Sequence, residues 1–320
     1  MNSGSKKIAL INGKLVDVDL NKSDVTNILF VNNKVMGVGY IPDDDDSIVI
    51  DAKNSWLLQD TYAFYQLNKK DIDTIGNNLP FENFKLGIGT PVFIIPKKVK
   101  IDKDSSIYSL VVELGAKLIV NISEYEQSEL KSEIVGVYLA DKILDKEIEM
   151  ISDLSLGMPV IIDLKSIDQD ISEYVSRINQ SIHCLVTSKK DVDIVQQLKL
   201  VHARLTSSLS LSSVKNFKKY DLLEYFKNES IHSFFLDGLN LNVLEFIDIL
   251  KTQFEIIDIA KMISSFYSNL LKIKLKKVGL FKSPNITILK EVSESKFKLS
   301  IMIFRGEVVY SDNEKKLEIN

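Results

Sequence analysis

Apolar and polar residues alternate along the first part of the chain, as they do in β-strands with one buried face. Residues 7–17, KIALINGKLVD, alternate around Asn12-Gly13, and Asn-Gly is a strong signal for a two-residue hairpin turn. Residues 27–39 repeat the pattern around Asn32-Asn33, where both residues tolerate a positive φ. A further strand is expected at residues 47–52. The chain is therefore predicted to open with two β-hairpins and a strand.

Short apolar runs and longer amphipathic segments then alternate from about residue 57 to residue 275. This alternation is typical of a parallel sheet whose strands are joined by helices. Eight strands are expected, at residues 57–63, 91–95, 117–121, 134–139, 158–163, 182–187, 203–207 and 233–236. Helices are expected at residues 106–114, 145–152, 167–179, 192–199, 220–227, 242–250 and 254–271. Eight strands in this pattern predict an α/β fold, a degenerate (β/α)8 TIM barrel.

Charge and hydropathy exclude several classes of partner. The net charge is only −4, so no strong field is expected to attract nucleic acid or an anionic membrane. The longest apolar runs, such as residues 135–140 and 159–164, are too short to span a bilayer, and the N-terminal MNSGSKK lacks the apolar segment of a signal peptide. We therefore expect a cytoplasmic protein that binds neither nucleic acid nor a membrane.

Cysteine and histidine are scarce. The single cysteine, Cys184, excludes an intramolecular disulfide and a cysteine-based metal cluster. The chain has three histidines, His183, His202 and His232, and none of them stands in a paired metal-binding motif. Hydrolytic zinc centres need several imidazole ligands in one pocket, so this composition argues against such a centre.

Residues 49–70, VIDAKNSWLLQDTYAFYQLNKK, resemble a segment of the dihydroorotases and related cyclic amidohydrolases, where a small β-domain precedes the first barrel strand. The family's Pro-Gly turn falls on Gln59-Asp60. Its two metal-binding histidines fall on Tyr65 and Leu67, and its substrate-binding arginine falls on Lys69. Leu offers no lone pair to a metal ion. The resemblance therefore implies that the scaffold is retained and that these metal ligands are lost.

The strands near both termini match the same family. The segments LINGKLVD, ILFVNNKVMGVG and VIDA resemble its N-terminal β-sandwich segment, and residues 300–311, with Arg305-Gly306 at the turn, resemble its closing hairpin. The resemblance covers nearly the whole chain. It implies a discontinuous β-sandwich domain, residues 1–56 and 276–320, with the barrel at residues 57–275 between its two parts.

The resemblance extends to motifs at the ends of the later barrel strands. In the strand 5 motif, the metal-binding histidine falls on Asp163 and an acidic residue falls on Lys165. In the strand 6 motif, the metal-binding histidine falls on Leu185, and His183 is expected on the other face of that strand. These two motifs have therefore also lost their imidazoles.

The remaining motifs keep one family residue. Serines stand at both histidine positions of residues 205–214, and the substrate-binding asparagine falls on Lys97. The essential aspartate of the last motif is retained as Asp237. The resemblance thus implies no catalytic residue, no metal and no other cofactor. The former metal or catalytic positions are Tyr65, Leu67, Asp163, Leu185 and Asp237, and the former substrate positions are Lys69 and Lys97.

Noncatalytic dihydroorotase-like chains are a feature of some bacterial pyrimidine pathways, where they bind aspartate carbamoyltransferase and hold its catalytic trimers in a larger assembly. The resemblance implies that this chain is not an enzyme but a structural subunit of that kind. The implied partner is the catalytic subunit of aspartate carbamoyltransferase, and the implied state is a hetero-oligomer in pyrimidine biosynthesis.

A second hypothesis is a divergent, metal-independent enzyme or small-molecule binder that uses the remodelled barrel pocket. The polar lining of that pocket would be Asp163, Lys165, Asp237, Lys69 and Lys97. The two aspartates would form a carboxylate pair for acid–base chemistry, or they are polar residues at strand ends. A pocket in which these groups converge favours the second hypothesis. A pocket plugged by Tyr65, Leu185 and Phe235 favours the scaffold.

Overall fold

The computed structural model describes residues 6–39, 47–74, 87, 89–99, 101, 105–167, 170–238, 243–293 and 296–312. The strands in these residues form two sheets. One contains eight strands from both ends of the chain, and the other is a closed barrel of eight parallel strands between them. The predicted fold class, a (β/α)8 barrel with a separate β-sheet domain at the termini, is confirmed.

The strands are β1 (Lys7–Asp17), β2 (Lys22–Val31), β3 (Lys34–Val38), β4 (Ser47–Asp51), β5 (Ser55–Gln59), β6 (Tyr62–Gln66), β7 (Thr90–Ile94), β8 (Lys117–Asn121), β9 (Ile134–Leu139), β10 (Val160–Asp163), β11 (Ile182–Val186), β12 (Leu205–Ser210), β13 (Ser233–Asp237), β14 (Ile286–Ser293), β15 (Lys296–Phe304) and β16 (Glu307–Ser311). The α-helices are α1 (Lys69–Thr74), α2 (Ser106–Leu114), α3 (Ile122–Tyr125), α4 (Asp145–Ser152), α5 (Ser172–Arg177), α6 (Lys189–Lys199), α7 (Lys219–Lys227), α8 (Val243–Lys251), α9 (Ile256–Ala260) and α10 (Phe266–Leu271). A π-helix, Lys261–Ser265, joins α9 to α10. No helix in the described part of the chain has the length and apolar character to cross a membrane.

The terminal sheet has the strand order β16-β15-β14-β5-β1-β2-β3, and β4 also pairs with β1. Strand β14 pairs antiparallel with β5, so the C-terminal strands extend the sheet that the N-terminal strands begin. Strand β5 lies across residue 56, the boundary that the sequence predicts between the N-terminal segment and the barrel.

The hairpin expected at Asn12-Gly13 is wrong. Strand β1 continues through both residues, and its pairing with β2 shifts register between Leu10 and Gly13. Asn12 has φ of 62°, which an asparagine tolerates, so the positive φ produces a β-bulge within a long strand. The chain reverses after Asp17, whose carboxylate accepts hydrogen bonds from the backbone N–H groups of Asp19 and Leu20 at 3.0 Å each.

The two other predicted turns are confirmed, and they touch each other. Asn32 and Asn33 have φ of 50° and 66° between β2 and β3, and Arg305 and Gly306 have φ of 51° and 82° between β15 and β16. The Nδ2 of Asn33 donates to Glu307 Oε1 at 2.5 Å. This contact joins distant strands of one sheet, so the sheet curls around an apolar core drawn from β1 to β5, β14 and β15.

The barrel closes in the order β10-β11-β12-β13-β6-β7-β8-β9. Each of the seven barrel strands predicted from residue 91 onward overlaps one observed barrel strand. The first predicted strand, at residues 57–63, is wrong, because two strands occupy this region. Strand β5 belongs to the terminal sheet, and β6 begins the barrel after a break at Asp60, where φ is 44°.

Alternate side chains of the barrel strands enter two different cores. One core surrounds the barrel and includes residues of the outer helices, such as Ile107 and Val192. The other fills the barrel interior. Tyr267 of α10 belongs to the interior core, where its ring stacks on Phe64 at 4.1 Å between centroids and its hydroxyl lies 3.1 Å from Ser208 Oγ. Helix α10 therefore closes the amino end of the barrel.

Asp60 joins the barrel to the terminal sheet. Its buried carboxylate accepts hydrogen bonds from the Tyr62 hydroxyl at 3.1 Å, the Lys276 backbone N–H at 2.7 Å and Asn285 Nδ2 at 2.9 Å. Asn285 in turn accepts a hydrogen bond from the Arg305 backbone N–H at 2.9 Å. Asp60 therefore has two roles. Its left-handed backbone separates β5 from β6, and its carboxylate binds polar groups from both parts of the molecule.

Candidate functional site

Three polar side chains meet at the carboxyl end of the barrel, where (β/α)8 proteins carry their chemistry. Gln66 ends β6, Asp163 ends β10, and Tyr138 is the residue before the last of β9. Gln66 Nε2 donates to Asp163 Oδ2 at 2.7 Å and to the Tyr138 hydroxyl oxygen at 2.9 Å. The Tyr138 hydroxyl donates to Asp163 Oδ2 at 2.9 Å. Because β6 does not pair with β9 or β10, these bonds span the barrel interior. We call these residues the carboxyl-end cluster.

The hydrogen bonds to the buried Asp163 carboxylate all come from neutral donors. Asp163 is 6% exposed, and its second oxygen accepts the Lys165 backbone N–H at 3.1 Å. No cationic side chain is bonded to this carboxylate within the described residues. Burial raises the pKa of Tyr138, and the neighbouring Asp163 carboxylate raises it further. Tyr138 therefore stays a hydrogen-bond donor at neutral pH, and the cluster remains a closed set of bonds.

Tyr65 and Leu67 do not face this site. Both belong to the core between the barrel and its helices, where the Tyr65 ring lies 5.7 Å from the ring of Phe93. The side chains of β6 that face the interior are Phe64 and Gln66. Successive side chains of a strand point to opposite faces, so the predicted placement is wrong by one residue.

The interior below the cluster is apolar. Leu185 and Phe235 both lie in the interior core, as the plugged pocket requires, but Tyr65 does not. His183 is also enclosed there, with its ring 6.2 Å from Phe64 and 6.5 Å from Tyr267. The expectation that His183 and Leu185 lie on opposite faces is wrong, because residues two apart on a strand share a face.

His183 is a neutral core residue. Its Nδ1 lies 2.9 Å from Thr206 Oγ1, and its buried Nε2 has no hydrogen-bond partner among the residues described. Burial, with a smaller contribution from His232, lowers the pKa of His183 to about 3. The opposite strand face holds Cys184, whose thiol pKa burial raises to about 12. Neither side chain is therefore activated as a nucleophile or base at neutral pH.

Asp237 lies in a second, more exposed polar group. Its Oδ2 accepts a hydrogen bond from Ser212 Oγ, which lies 2.9 Å from Ser210 Oγ. Both serines come from the segment in which the resemblance places serines at two histidine positions. In the described part of the chain, no hydrogen bond connects Asp237 to Asp163, so the structure does not bring the two aspartates together as a bonded pair.

The lysines predicted to line a remodelled pocket are directed elsewhere. Lys97 pairs with Glu147 of α4, with Nζ 3.3 Å from Oε1. Lys69 is the exposed first residue of α1, and Lys165 is exposed in the turn after β10. None of these three ammonium groups bonds to Asp163 or Asp237 within the described ranges. The polar lining of the second hypothesis is therefore not assembled.

Several solved structures share this arrangement of barrel and terminal sheet. The β-aspartyl dipeptidase of Fervidobacterium islandicum AW-1 is 14% identical, with a TM-score of 0.70 and 97% of each chain covered. The dihydropyrimidinase of Brevibacillus agri NCHU1002 is 12% identical, with a TM-score of 0.68 and 95% of each chain covered. The L-hydantoinase of Arthrobacter aurescens is 13% identical, with a TM-score of 0.68, and the match covers 95% of this chain and 96% of that one.

These three proteins are members of the amidohydrolase superfamily. The chain shares their fold, a (β/α)8 barrel with a separate terminal sheet. No family model and no curated protein matches the sequence. At these levels of identity the likeness concerns the fold alone.

The side chains at the carboxyl end do not fit the metal centre that the amidohydrolase resemblance implies. The inward positions of β6, β9, β10 and β11 hold Gln66, Tyr138, Asp163 and Leu185, which together provide one carboxylate and no imidazole. That carboxylate is already bonded through both oxygens. Among the described residues, no group of three or more His, Cys, Asp or Glu side chains is placed to hold a metal ion. We therefore derive no reaction step that uses a metal.

Sequence analysis missed Gln66 and Tyr138. Each is a polar side chain in an otherwise apolar run and lies within one residue of the end of a barrel strand, which is where functional residues of this fold are found. That signal was present for both residues. The family motif placed its histidine on the neighbouring Tyr65 instead.

Proposed function

We propose that this chain is a catalytically inactive protein of amidohydrolase-superfamily fold that serves as a structural subunit and binds the catalytic subunit of aspartate carbamoyltransferase. The observation that carries the inactivity is the carboxyl-end cluster. Its polar groups are used in bonds to one another, and the inward positions around it lack imidazoles. The partner comes from the dihydroorotase resemblance alone.

A barrel without a working site retains a rigid outer surface. Once selection acts only on that surface, loss of ligands inside the barrel has little cost, and apolar or self-bonded side chains replace them. The stacked and buried rings in the interior, such as Phe64 with Tyr267, are what such a replacement produces. This reasoning supports a scaffold role and does not depend on which protein is the partner.

The inactivity is tested by metal content and turnover. We expect the purified chain to contain well below one equivalent of zinc, measured by inductively coupled plasma mass spectrometry, and to turn over neither dihydroorotate nor hydantoin with or without added zinc. An active dihydropyrimidinase treated in the same way is the positive control. Stoichiometric zinc together with zinc-dependent turnover would contradict the proposal.

The partner is tested separately by mixing the chain with aspartate carbamoyltransferase from the same organism and measuring the mass by light scattering behind a sizing column. We expect a stable complex heavier than either component. The dihydropyrimidinase of the same fold serves as the matched control and is expected to leave the carbamoyltransferase peak unchanged. Two separate peaks at micromolar concentrations would rule out this partner. They would leave the proposed inactivity unaffected, because that is tested by the zinc content and turnover.

A further inference from the structure

Two adjoining cavities open at the amino end of the barrel, opposite the carboxyl-end cluster. The larger has a volume of about 720 Å³ and lies between α7, α9 and the π-helix. The smaller has a volume of about 540 Å³ and lies at the starts of β11 and β12, beside α10. Glu229, His232 and Phe266 line both cavities. The shared wall makes them two parts of one site, which we call the amino-end site.

His232 is held as a fixed hydrogen-bond donor in this wall. Its Nδ1 accepts the Ser207 backbone N–H at 3.2 Å, so the proton of the neutral ring lies on Nε2. The ring stacks on Phe266 at 5.7 Å between centroids. The Nε2–H has no acceptor among the residues described. A donor oriented in this way, facing two cavities, is suited to a ligand that carries an acceptor.

The charge of the smaller cavity favours an anion. Lys199 and Arg204 line it against one carboxylate, Glu229. Both cations also donate to backbone carbonyls, Lys199 to Glu229 and Arg204 to Asn179, which fixes their positions without neutralising them. An excess of fixed positive charge beside a neutral donor is the arrangement that recognises a carboxylate, sulfonate or phosphate group.

The larger cavity is suited to an apolar group. Phe226, Phe254 and Met262 line it together with two lysines and three carboxylates, and the π-helix forms part of its wall. A π-helical turn inside a helix costs regular hydrogen bonding and is found often at functional sites. The strained backbone of Glu229, with φ of 59° at the junction of the two cavities, is a second feature of that kind.

Each cavity wall also contains an unpaired acceptor. His202 donates through Nε2 to the Ile178 carbonyl at 3.1 Å, which leaves its buried Nδ1 without a partner in the described residues. Gln253 Oε1 in the larger cavity is likewise buried and unpaired there. Unpaired buried acceptors cost free energy and are uncommon in folded proteins.

We infer that the amino-end site binds an organic acid with an apolar body, its anionic group beside Arg204, Lys199 and His232 and its apolar part against Phe226 and Phe254. This site is separate from the former catalytic end. It uses none of the residues of the carboxyl-end cluster, so it is compatible with an inactive barrel and would give the protein a ligand.

The test uses 8-anilinonaphthalene-1-sulfonate, which carries an anion, an N–H group and an apolar body, and N-phenyl-1-naphthylamine, which lacks only the sulfonate. Titration of the full chain, followed by fluorescence and calorimetry, is expected to show one saturable sulfonate site. We expect Arg204→Met to weaken sulfonate binding about tenfold, the loss expected for one charge-assisted hydrogen bond. Binding of the neutral probe is expected to change less than about twofold, because it makes no such bond.

Arg177→Met is the matched control, because Arg177 pairs with Asp145 and lines neither cavity, and its loss removes the same charge. It is expected to leave both probes unaffected. If Arg204→Met fails to fold, Lys199→Met gives the same test. The inference is overturned by no saturable binding, by several equivalent sulfonates per chain, or by equal weakening of sulfonate binding in Arg177→Met and Arg204→Met.

Discussion

At the scale of single residues, one step of register decides which side chains form the candidate site. Tyr62 to Tyr65 are all buried, so the strand shows no alternation of apolar and polar residues that would reveal its inward face. The Pro-Gly turn that anchors the motif in the family is absent, and the strand break falls at Asp60. Composition showed that histidine is scarce in the chain, but the identity of the inward residues, Gln66 and Phe64, needed the structure.

The carboxyl-end cluster gives a prediction at this scale. Tyr138→Phe removes the hydroxyl that donates to Asp163 and accepts from Gln66. We expect the free energy of unfolding to fall by about 1.5 kcal/mol, because a buried carboxylate loses one of its donors. Urea unfolding followed by circular dichroism measures this difference.

Tyr108→Phe is the control for that measurement. Tyr108 is partly buried, and its hydroxyl has no hydrogen bond within the described part of the chain. Its loss is expected to change stability by less than about 0.5 kcal/mol. If the two substitutions lowered the free energy of unfolding equally, the hydrogen bonds of the cluster would contribute no more to stability than the packing of an unbonded tyrosine hydroxyl.

At the scale of elements, similar turn signals gave different outcomes. Asn32-Asn33 and Arg305-Gly306 form turns as predicted, whereas Asn12-Gly13 forms a bulge. A positive φ serves either purpose, and the neighbouring strands decide between them. Strand β1 pairs with β4 before the bulge and with β5 after it, which only a continuous strand allows. These pairings involve strands distant in sequence, so local pattern does not predict them.

Gly306 gives a prediction for the curled sheet. Its φ is 82°, and a Cβ added there would lie 1.8 Å from the carbonyl oxygen of Asn33 in the facing turn. We expect Gly306→Ala to destabilise the protein by about 3 kcal/mol, since the clash is with backbone and adds to the strain of the left-handed conformation. The midpoint of urea unfolding reports the loss.

Gly39→Ala separates the two causes. Gly39 also has a positive φ, 92°, but no described atom lies within 4 Å of an added Cβ. Its substitution is expected to cost about 1 kcal/mol, the strain alone. If Gly306→Ala cost no more than Gly39→Ala, the close approach of the two turns would not exist in solution.

At the scale of the whole molecule, alternation of strands and helices was enough to predict the barrel, and the resemblance placed the terminal strands in one domain. Both inferences depend on average patterns over many residues, which tolerate substitution. The amino-end site depends on something else. Its residues come from α6, α7, α10, the π-helix and the segments that precede β12 and β13, and they meet only because the barrel closes. No spacing in the sequence marks them.

Asp60 provides the prediction that belongs to this scale, because it joins the two parts of the molecule. Asp60→Ala leaves four donors, the Tyr62 and Thr90 hydroxyls, the Lys276 N–H and Asn285 Nδ2, without their acceptor. We expect a loss of about 3 kcal/mol or more in the free energy of unfolding.

Asp60→Gly loses the same bonds but accepts the φ of 44° without a Cβ, so it should be about 1 kcal/mol more stable than Asp60→Ala. Since the donors belong to both the barrel and the segment leading to the terminal sheet, both variants are expected to unfold in one shifted transition by circular dichroism and by Trp56 fluorescence. An unshifted midpoint in both signals would mean that the Asp60 bonds contribute little to either part, and a shift in only one signal would mean that they stabilise that part alone.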